Sequence, residues 1–279
     1  MFTMTLRKTS IAAAAAVVLA LTATACGGGS GSDSEDGVTI GIKFDQPGLG
    51  LKTPDGDYAG FDVDVATYVA KELGYKESDI TWKEAPSADR ENLIVNGDVD
   101  MIAATYSITP ERKERVSFAG PYMVAHQDLL VRKDYDEIKS KSDLNDAELN
   151  LCSVTGSTSA ANVKKDFAPK ADLQEYGTYS ECLTGLLNKK VDALTTDDSI
   201  LAGFAAQKSH QGKFKLLGLN LSDEPYGIGV KKGDTEMQKK VNDAIQKMFD
   251  DGSWKKFAEK HFGPADYEYG SAPQITEGS

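Results

Sequence analysis

Lys43 closes the run "VTIGIK", in which Val38, Ile40 and Ile42 alternate with Thr39, Gly41 and the lysine. Extended by Phe44, this is the period-2 pattern of a half-buried strand. It sets an ammonium at the strand's C-terminal end, on the face opposite four apolar side chains. Such a lysine either faces water, the usual case, or looks into a site. Few other groups are spaced for covalent chemistry. The chain has no G-x-S-x-G, no H-E-x-x-H and no G-x-x-x-x-G-K-[ST]. "GIGVKKG" (Gly227–Gly233) has the wrong spacing for a dinucleotide fingerprint. His126, His210 and His261 are scattered and fall in no metal-ligand spacing, so no metal or cofactor is expected. Asp197 and Asp198, in "DALTTDD", are each open to a helix-capping role. Beyond Asp197 there is no obvious acid or base for proton transfer.

The ends of the chain speak to location. "MFTMTLRKTS" carries Arg7 and Lys8 without an acidic residue, and "IAAAAAVVLALTATA" follows. Residues 1–25 therefore read as a secretory signal peptide, with an apolar run too short to span a bilayer comfortably. Cys26, followed by glycines, resembles the lipobox of bacterial lipoproteins, in which that cysteine is lipidated and becomes the new N-terminus. Ala23 stands where a leucine is usual, and Ala23-Thr24-Ala25 also suits ordinary secretion. The expectation is a lipid anchor on the extracytoplasmic face of the cell membrane, or a secreted protein if Cys26 is not lipidated. Residues 26–37, rich in Gly, Ser, Asp and Glu, read as a flexible tether. Formal net charge is −12, and loss of the two basic residues in 1–25 takes it to −14. So acidic a chain argues against nucleic acid or an anionic membrane surface as partner. Cys152 and Cys182 are left for an oxidising compartment. A disulfide between them would close a loop of about 30 residues and contribute roughly 3–4 kcal/mol; two buried thiols are the alternative.

The elements that carry these residues alternate. "GFDVDVATYVAKELG" places Phe61, Val65, Tyr68, Val69 and Leu73 on one helical face, with Gly74 as its stop. "ITWKEA" reads as a strand, "SADRENLIVNG" as a helix and "VDMIAAT" as a buried strand. Thr109-Pro110 opens another helix, and "HQDLLVRKD" is extended. From Ser140 the pattern restarts. "LNLCSVTGSTSAANVKKDF" is strand, loop and helix; "YSECLTGLLNKKVDALTTDDSILAGFAAQ" is helix, strand and helix. "EPYGIGVKKGD" is a strand, and a helical run from Thr235 reaches His261. Two such series argue for an α/β protein with parallel sheets in two lobes. "YEYGSAPQITEGS" reads as a poorly ordered tail.

"GFDVDVATYVAKEL" in a secreted chain resembles the polar amino-acid branch of the bacterial extracellular solute-binding proteins, which serve ATP-binding-cassette (ABC) importers. Three more blocks match in order: "RENLIVNGDVDMIAATYSITPERKERVSFAGPY" (Arg90–Tyr122), "VDALTTDDSIL" (Val191–Leu201) and "YGIGVKKGD" (Tyr226–Asp234). The likeness covers nearly all of the mature chain and is strongest to the glutamate-binding lipoproteins. It implies a two-lobed periplasmic-binding-protein-like α/β fold with two hinge crossovers, near Leu130–Lys133 and Glu224–Gly229. Residues 38–133 plus 224–265 would form lobe 1, residues 134–223 lobe 2, and residues 266–279 the tail.

The resemblance also assigns a site. Thr105, Ser107 and Arg112 match the T-x-S/T-x-x-x-x-R stretch that grips an amino acid's α-groups; an arginine fork fits a carboxylate as a lysine does not. Gly156, Ser157 and Thr158 would offer amides and hydroxyls to the same carboxylate, and Val154 stands where the family often has a glutamine. Asp197 would hold the ammonium. Lys43 falls where the family places its side-chain discriminator, with Ser87 and Arg90 matching a serine and arginine of the acidic-amino-acid binders. Many members stack an aromatic shortly after the discriminator; here that region reads Gln46-Pro47-Gly48. Tyr179 could supply a wall or a hydroxyl. Lys43, Arg90 and Arg112 against Asp197 make about +2, which suits an acidic ligand in a closed cleft. The implied function is that of a non-enzymatic, monomeric receptor for L-glutamate, or L-aspartate, that delivers it to a membrane permease. A binder of another polar amino acid such as glutamine, or a dehydratase-type enzyme on the same fold, is the alternative.

Overall fold

The computed structural model describes residues 37–278; the expected signal peptide, Cys26 and the expected tether before Gly37 lie outside the described residues. Strand β1 (Val38–Ile42) buries Val38, Ile40 and Ile42. A small antiparallel ribbon follows, made of β2 (Asp45–Gln46), β3 (Gly50–Lys52) and β4 (Tyr58–Ala59). Helix α1 (Phe61–Glu72) turns Phe61, Val65, Ala66, Val69 and Ala70 into the core. Gly74 ends it at φ 98°, with its amide on the Lys71 carbonyl and the Tyr75 amide on that of Ala70, the left-handed stop the sequence shows. Next come β5 (Ile80–Glu84), α2 (Arg90–Val95), β6 (Met101–Ile102) and α3 (Pro110–Lys113). The Thr109 hydroxyl caps α3 by accepting from the Arg112 amide at 3.2 Å. Both β5 and β6 run parallel to β1.

Strand β7 (Val116–Arg132) is 17 residues long and starts ten residues before the extended run visible in the sequence. The second series follows: β8 (Asn150–Val154), α4 (Thr158–Asn162), β9 (Asp172–Tyr176), α5 (Tyr179–Leu187), β10 (Ala193–Asp197), α6 (Asp198–Ala206) and β11 (Phe214–Leu216). The chain then returns along β12 (Asp223–Lys231) to α7 (Thr235–Asp250) and α8 (Ser253–Phe262). Gly252, at φ 77°, breaks what the sequence suggests as one helical run.

Strand order is β5-β1-β6-β12-β7-β10-β8-β9, with β11 also on β7. Along β7, Val116–His126 pairs antiparallel with β12 and Gln127–Val131 with β10. One strand is thus common to both halves of this α/β fold, and its change of partner falls between His126 and Gln127. Leu130–Lys133, where the sequence puts a crossover, lies beyond that point: Leu130 already faces Leu194 and Leu216. Both halves have parallel interiors, with β8 paired parallel to β9 and β10. Cys152 of β8 and Cys182 of α5 form a disulfide, which pins that helix to its sheet.

Residues 266–278 are fastened to the body, contrary to the expectation of a poorly ordered tail. Tyr269 lies 5.8 Å from Trp254 and Tyr267 lies 5.4 Å from Phe262, centroid to centroid. The Tyr267 hydroxyl donates to Asp198 Oδ1 at 2.8 Å. The amides of Thr276 and Glu277 both reach the Gly120 carbonyl, and Lys113 pairs with the Glu277 carboxylate at 3.1 Å. The physical reason is the aromatic surface that α8 leaves uncovered; the segment's polar composition hides the few apolar residues that cover it. Deleting residues 267–279 should lower the melting temperature by roughly 5 °C or more, read by calorimetry against the intact chain; an unchanged transition would show the segment to be loose.

Candidate functional site

Nearly all the residues singled out from the sequence converge between the two halves. Lys43, one residue past β1, is 5% exposed and its Nζ donates to Ser87 Oγ at 2.7 Å. The alternation of β1 therefore does not end at water. Arg90, the first residue of α2, is 2% exposed; its Nη1 donates to the carbonyls of Ala104 (2.9 Å) and Thr105 (3.2 Å), and its guanidinium lies 4.4 Å from the Tyr106 ring centre. Burial and then the nearby Arg90 charge push the Lys43 ammonium down to about 7. The same two causes push Arg112 down to about 10.

Arg112 sits in α3, oriented by the Thr109 cap. Its Nη1 donates to the Ser107 carbonyl at 2.8 Å, and Nη2 donates across the cleft to the Gly156 carbonyl at 3.1 Å. Nε lies 3.3 Å from Glu91 Oε1, which also accepts from the Tyr106 hydroxyl. Only glycine serves at position 156. Its φ is 77°, and a Cβ would fall 2.7 Å from the Ala88 Cα on the other side of the cleft.

Thr105 adopts φ 45°, rare for a β-branched residue. Asp62 holds it there: Oδ2 accepts the Thr105 amide and Oδ1 the Tyr122 hydroxyl, both at 2.8 Å. Burial raises the Asp62 carboxyl to about 6, offset in part by those two donors. Asp62 gave a faint signal in the sequence, as an acid on the apolar stripe of α1. Gln46 is fully buried and meets Thr105 through Oε1, 3.2 Å from the hydroxyl.

On the far side, Ser157 caps α4 by accepting from the Ala160 amide at 3.0 Å, and its own amide closes a turn onto Val154. The Thr158 hydroxyl donates to Glu224 Oε2 at 2.8 Å and lies 3.4 Å from Ser107 Oγ. Much of the donor capacity expected of this loop is thus committed within the protein. Asp197 Oδ2 accepts from the Tyr226 hydroxyl at 2.6 Å, and Oδ1 from Ser159 Oγ at 3.2 Å. Burial, then the Glu224 charge, raises its carboxyl. Tyr179, at the N-terminus of α5, is buried and its hydroxyl accepts from Thr196 Oγ1 at 2.7 Å.

Charge in the cleft differs from the sequence count of +2, because Glu91 pairs with Arg112 and Glu224 is buried beside Asp197. The surplus is local. Among the described residues Lys43 and Arg90 have no carboxylate in ion-pair contact, while the Arg112 end holds three acids. The site therefore has one end fit for an anion and another fit for a zwitterion's paired charges.

This two-lobed α/β architecture, with polar and charged groups from both halves meeting across shared strands, is that of a receptor closing on a small polar solute. The chain belongs to the bacterial extracellular solute-binding proteins, family 3, whose model matches residues 38–264. It is 50% identical over 235 residues to the glutamate-binding protein GluB of Corynebacterium efficiens, covering 81% of this chain and 79% of that one. It is 39% identical over 226 residues to the glutamine-binding protein GlnH of Bacillus subtilis, covering 81% of each. Among solved structures, an ancestral arginine-binding protein bound to glutamine superposes with a TM-score of 0.74 at 35% identity, covering 81% of this chain and 97% of that one.

The lowered Lys43 group makes a stability prediction. Its folded value lies below the unfolded one, so burying the charge costs stability in full below about pH 7, and the cost fades as pH rises towards 10.5. Lys43→Met should raise the ligand-free melting temperature at pH 6, and by less at pH 9.5. A gain that is equal at both pH values would show that the charge is not what costs.

Proposed function

We propose that this chain is the extracytoplasmic receptor of an ABC importer, that it binds L-glutamate, with L-aspartate second, and that it presents the amino acid to a membrane permease. The observation that carries the reading is the pair of buried cations, Lys43 and Arg90, with no carboxylate in ion-pair contact among the described residues. Uncompensated charge in a closed cleft costs several kcal/mol per group, and a ligand's side-chain carboxylate offsets it. Ser87 orients Lys43 towards that carboxylate. Arg112 takes the α-carboxylate with Ser107 and the Gly156–Thr158 turn, and Asp197 takes the ammonium. Tyr179 walls the cleft beside Asp197. The identity to a glutamate-binding relative supports the same choice.

The protein binds without converting its ligand, as a monomer. We place lobe 1 in residues 38–126 with the chain from Asp223 onward, and lobe 2 between them, because β7 changes partner at His126 and β12 pairs with β7 only as far as Asp223. Closure by hinge motion stabilises the form that a permease recognises through its higher affinity for ligand. A signal peptide and lipidated Cys26 would hold the receptor at the outer face of the membrane; among the described residues no helix is long and apolar enough to cross one.

Isothermal titration of the mature protein against free amino acids tests the ligand, with a dissociation constant near micromolar, about −8 kcal/mol, expected for L-glutamate. Tight binding of glutamine, arginine or histidine with none of glutamate would overturn the proposal. Arg112→Ala should abolish binding of every amino acid. Lys43→Ala should weaken glutamate by at least tenfold more than glutamine, and equal losses would remove Lys43 from the side-chain end.

A further inference from the structure

Asp197, at the end of β10, and Glu224, on β12, are both buried. Neither has a cation in ion-pair contact among the described residues. Two elements bring them together. On α4 the Thr158 hydroxyl donates to Glu224 Oε2 at 2.8 Å, and that of the next residue, Ser159, donates to Asp197 Oδ1 at 3.2 Å. On β12, Glu224 and Tyr226 are two residues apart and share a face, and the Tyr226 hydroxyl meets Asp197 Oδ2 at 2.6 Å. The remaining contacts of Glu224, Asn162 Nδ2 and Ser222 Oγ, are neutral as well. Two neighbouring buried anions held by neutral groups alone are costly unless a positive charge joins them.

The hydrogen bonds around the pair leave room for one proton. Ser222 Oγ has a single hydrogen, yet it lies 2.9 Å from Glu224 Oε1 and 3.2 Å from Gln127 Oε1. The Gln127 amide is fixed in that orientation. Its Nε2 donates to the Ser159 carbonyl and to Thr195 Oγ1, whose own hydrogen goes to the Asp128 carbonyl. A proton on Glu224 Oε1 donates to Ser222 Oγ and frees the Ser222 hydrogen for Gln127. A proton on Asp197 Oδ2 donates to the Tyr226 hydroxyl, whose hydrogen turns to Ser199 Oγ at 3.0 Å. Each acid therefore has a hydroxyl beside it that accepts when the acid is neutral. Burial, and then the Glu224 charge, hold the Asp197 carboxyl above its usual range, the direction that retains a proton.

We propose that Asp197 and Glu224 work as a pair that carries one proton while the cleft is empty and releases it to solvent as the ligand's ammonium arrives. The inference rests on the reading of Asp197 as the ammonium's partner. One carboxyl O–H bond breaks, the proton goes to a buffer base, and the ammonium takes its place as the countercharge of two carboxylates. Tyr226 and Ser222 then turn their hydrogens onto the acids. The other titratable groups that face the pair are Asp198 at the start of α6, Tyr179 of α5, Tyr267 of the C-terminal segment and Arg112 of α3. Of these only Arg112 is positive, and Glu91 already pairs with it. Glu224 thereby becomes a second acid for the amino group, reached through the strand that the two halves share.

Isothermal titration with L-glutamate at pH 6, in phosphate and in imidazole buffer, counts the protons, because the two buffers differ in heat of ionisation. The intact protein should release about one proton per glutamate bound. At pH 6 Lys43 already carries its charge and takes up little. Glu224→Gln keeps the side chain's shape and removes one acid, so its release should fall by half or more. The contributions of Lys43 and Asp62 are common to both proteins and cancel in that comparison. The count does not depend on the ligand's side chain, so L-glutamine serves equally if that is what binds. If Glu224→Gln does not fold, the count on the intact protein decides alone. No net release by the intact protein, or equal release by the folded variant, overturns the inference. Unchanged glutamate affinity in Asp197→Asn refutes the ammonium reading instead, so the two failures are separable.

Discussion

Three basic side chains buried in one cleft are the constraint around which the rest is arranged. Lys43, Arg90 and Arg112 are all buried, and the Arg90 charge lowers the tendency of both Lys43 and Arg112 to hold a proton. The protein answers unequally. Arg112 has Glu91 and two carbonyls, Arg90 has carbonyls and a ring face, and Lys43 has one hydrogen-bond partner among the described residues, a serine hydroxyl. The imbalance grows along the cleft from the Arg112 end to the Lys43 end, and it is this imbalance that the proposed acidic ligand would offset.

The two halves contribute differently. The first supplies the cations, on the end of a strand and the starts of two short helices, with Asp62 fixing Thr105 in a conformation it would not choose alone. The second supplies Asp197 at the end of β10 and the Ser157 turn, and the disulfide ties α5 to β8 behind them. Asp197 is also bonded to Tyr226 on the strand that links the halves, so the acid expected to take an ammonium is anchored to the hinge.

Much of this was legible in the sequence. The alternation of β1, the Thr109-Pro110 helix start, the Gly74 stop and the pairing of Cys152 with Cys182 all appear as expected, because each depends on neighbours or on one covalent partner. The orientation of Lys43 did not follow from its strand; that strand allowed water or a site equally, and only placing Ser87 and Arg90 beside it decides. Glu91, Glu224 and Asp62 escaped notice since an acidic residue on a helix or strand looks like a solvated charge until the opposing element is known. The start of β7 was missed because "VSFAGPY" carries Gly120-Pro121 in mid-strand, which reads as a break. The fastened C-terminal segment was missed because its anchors, such as the Gly120 carbonyl, lie more than a hundred residues away.

The Pro47 carbonyl of the first half lies so near helix α6 that a Cβ on Gly203 would fall 2.1 Å from it. Where two backbones touch, neither can shorten or swing aside as a long side chain does, so the halves meet at a fixed end-stop. The contact therefore limits how far the two halves can close, whatever they close on.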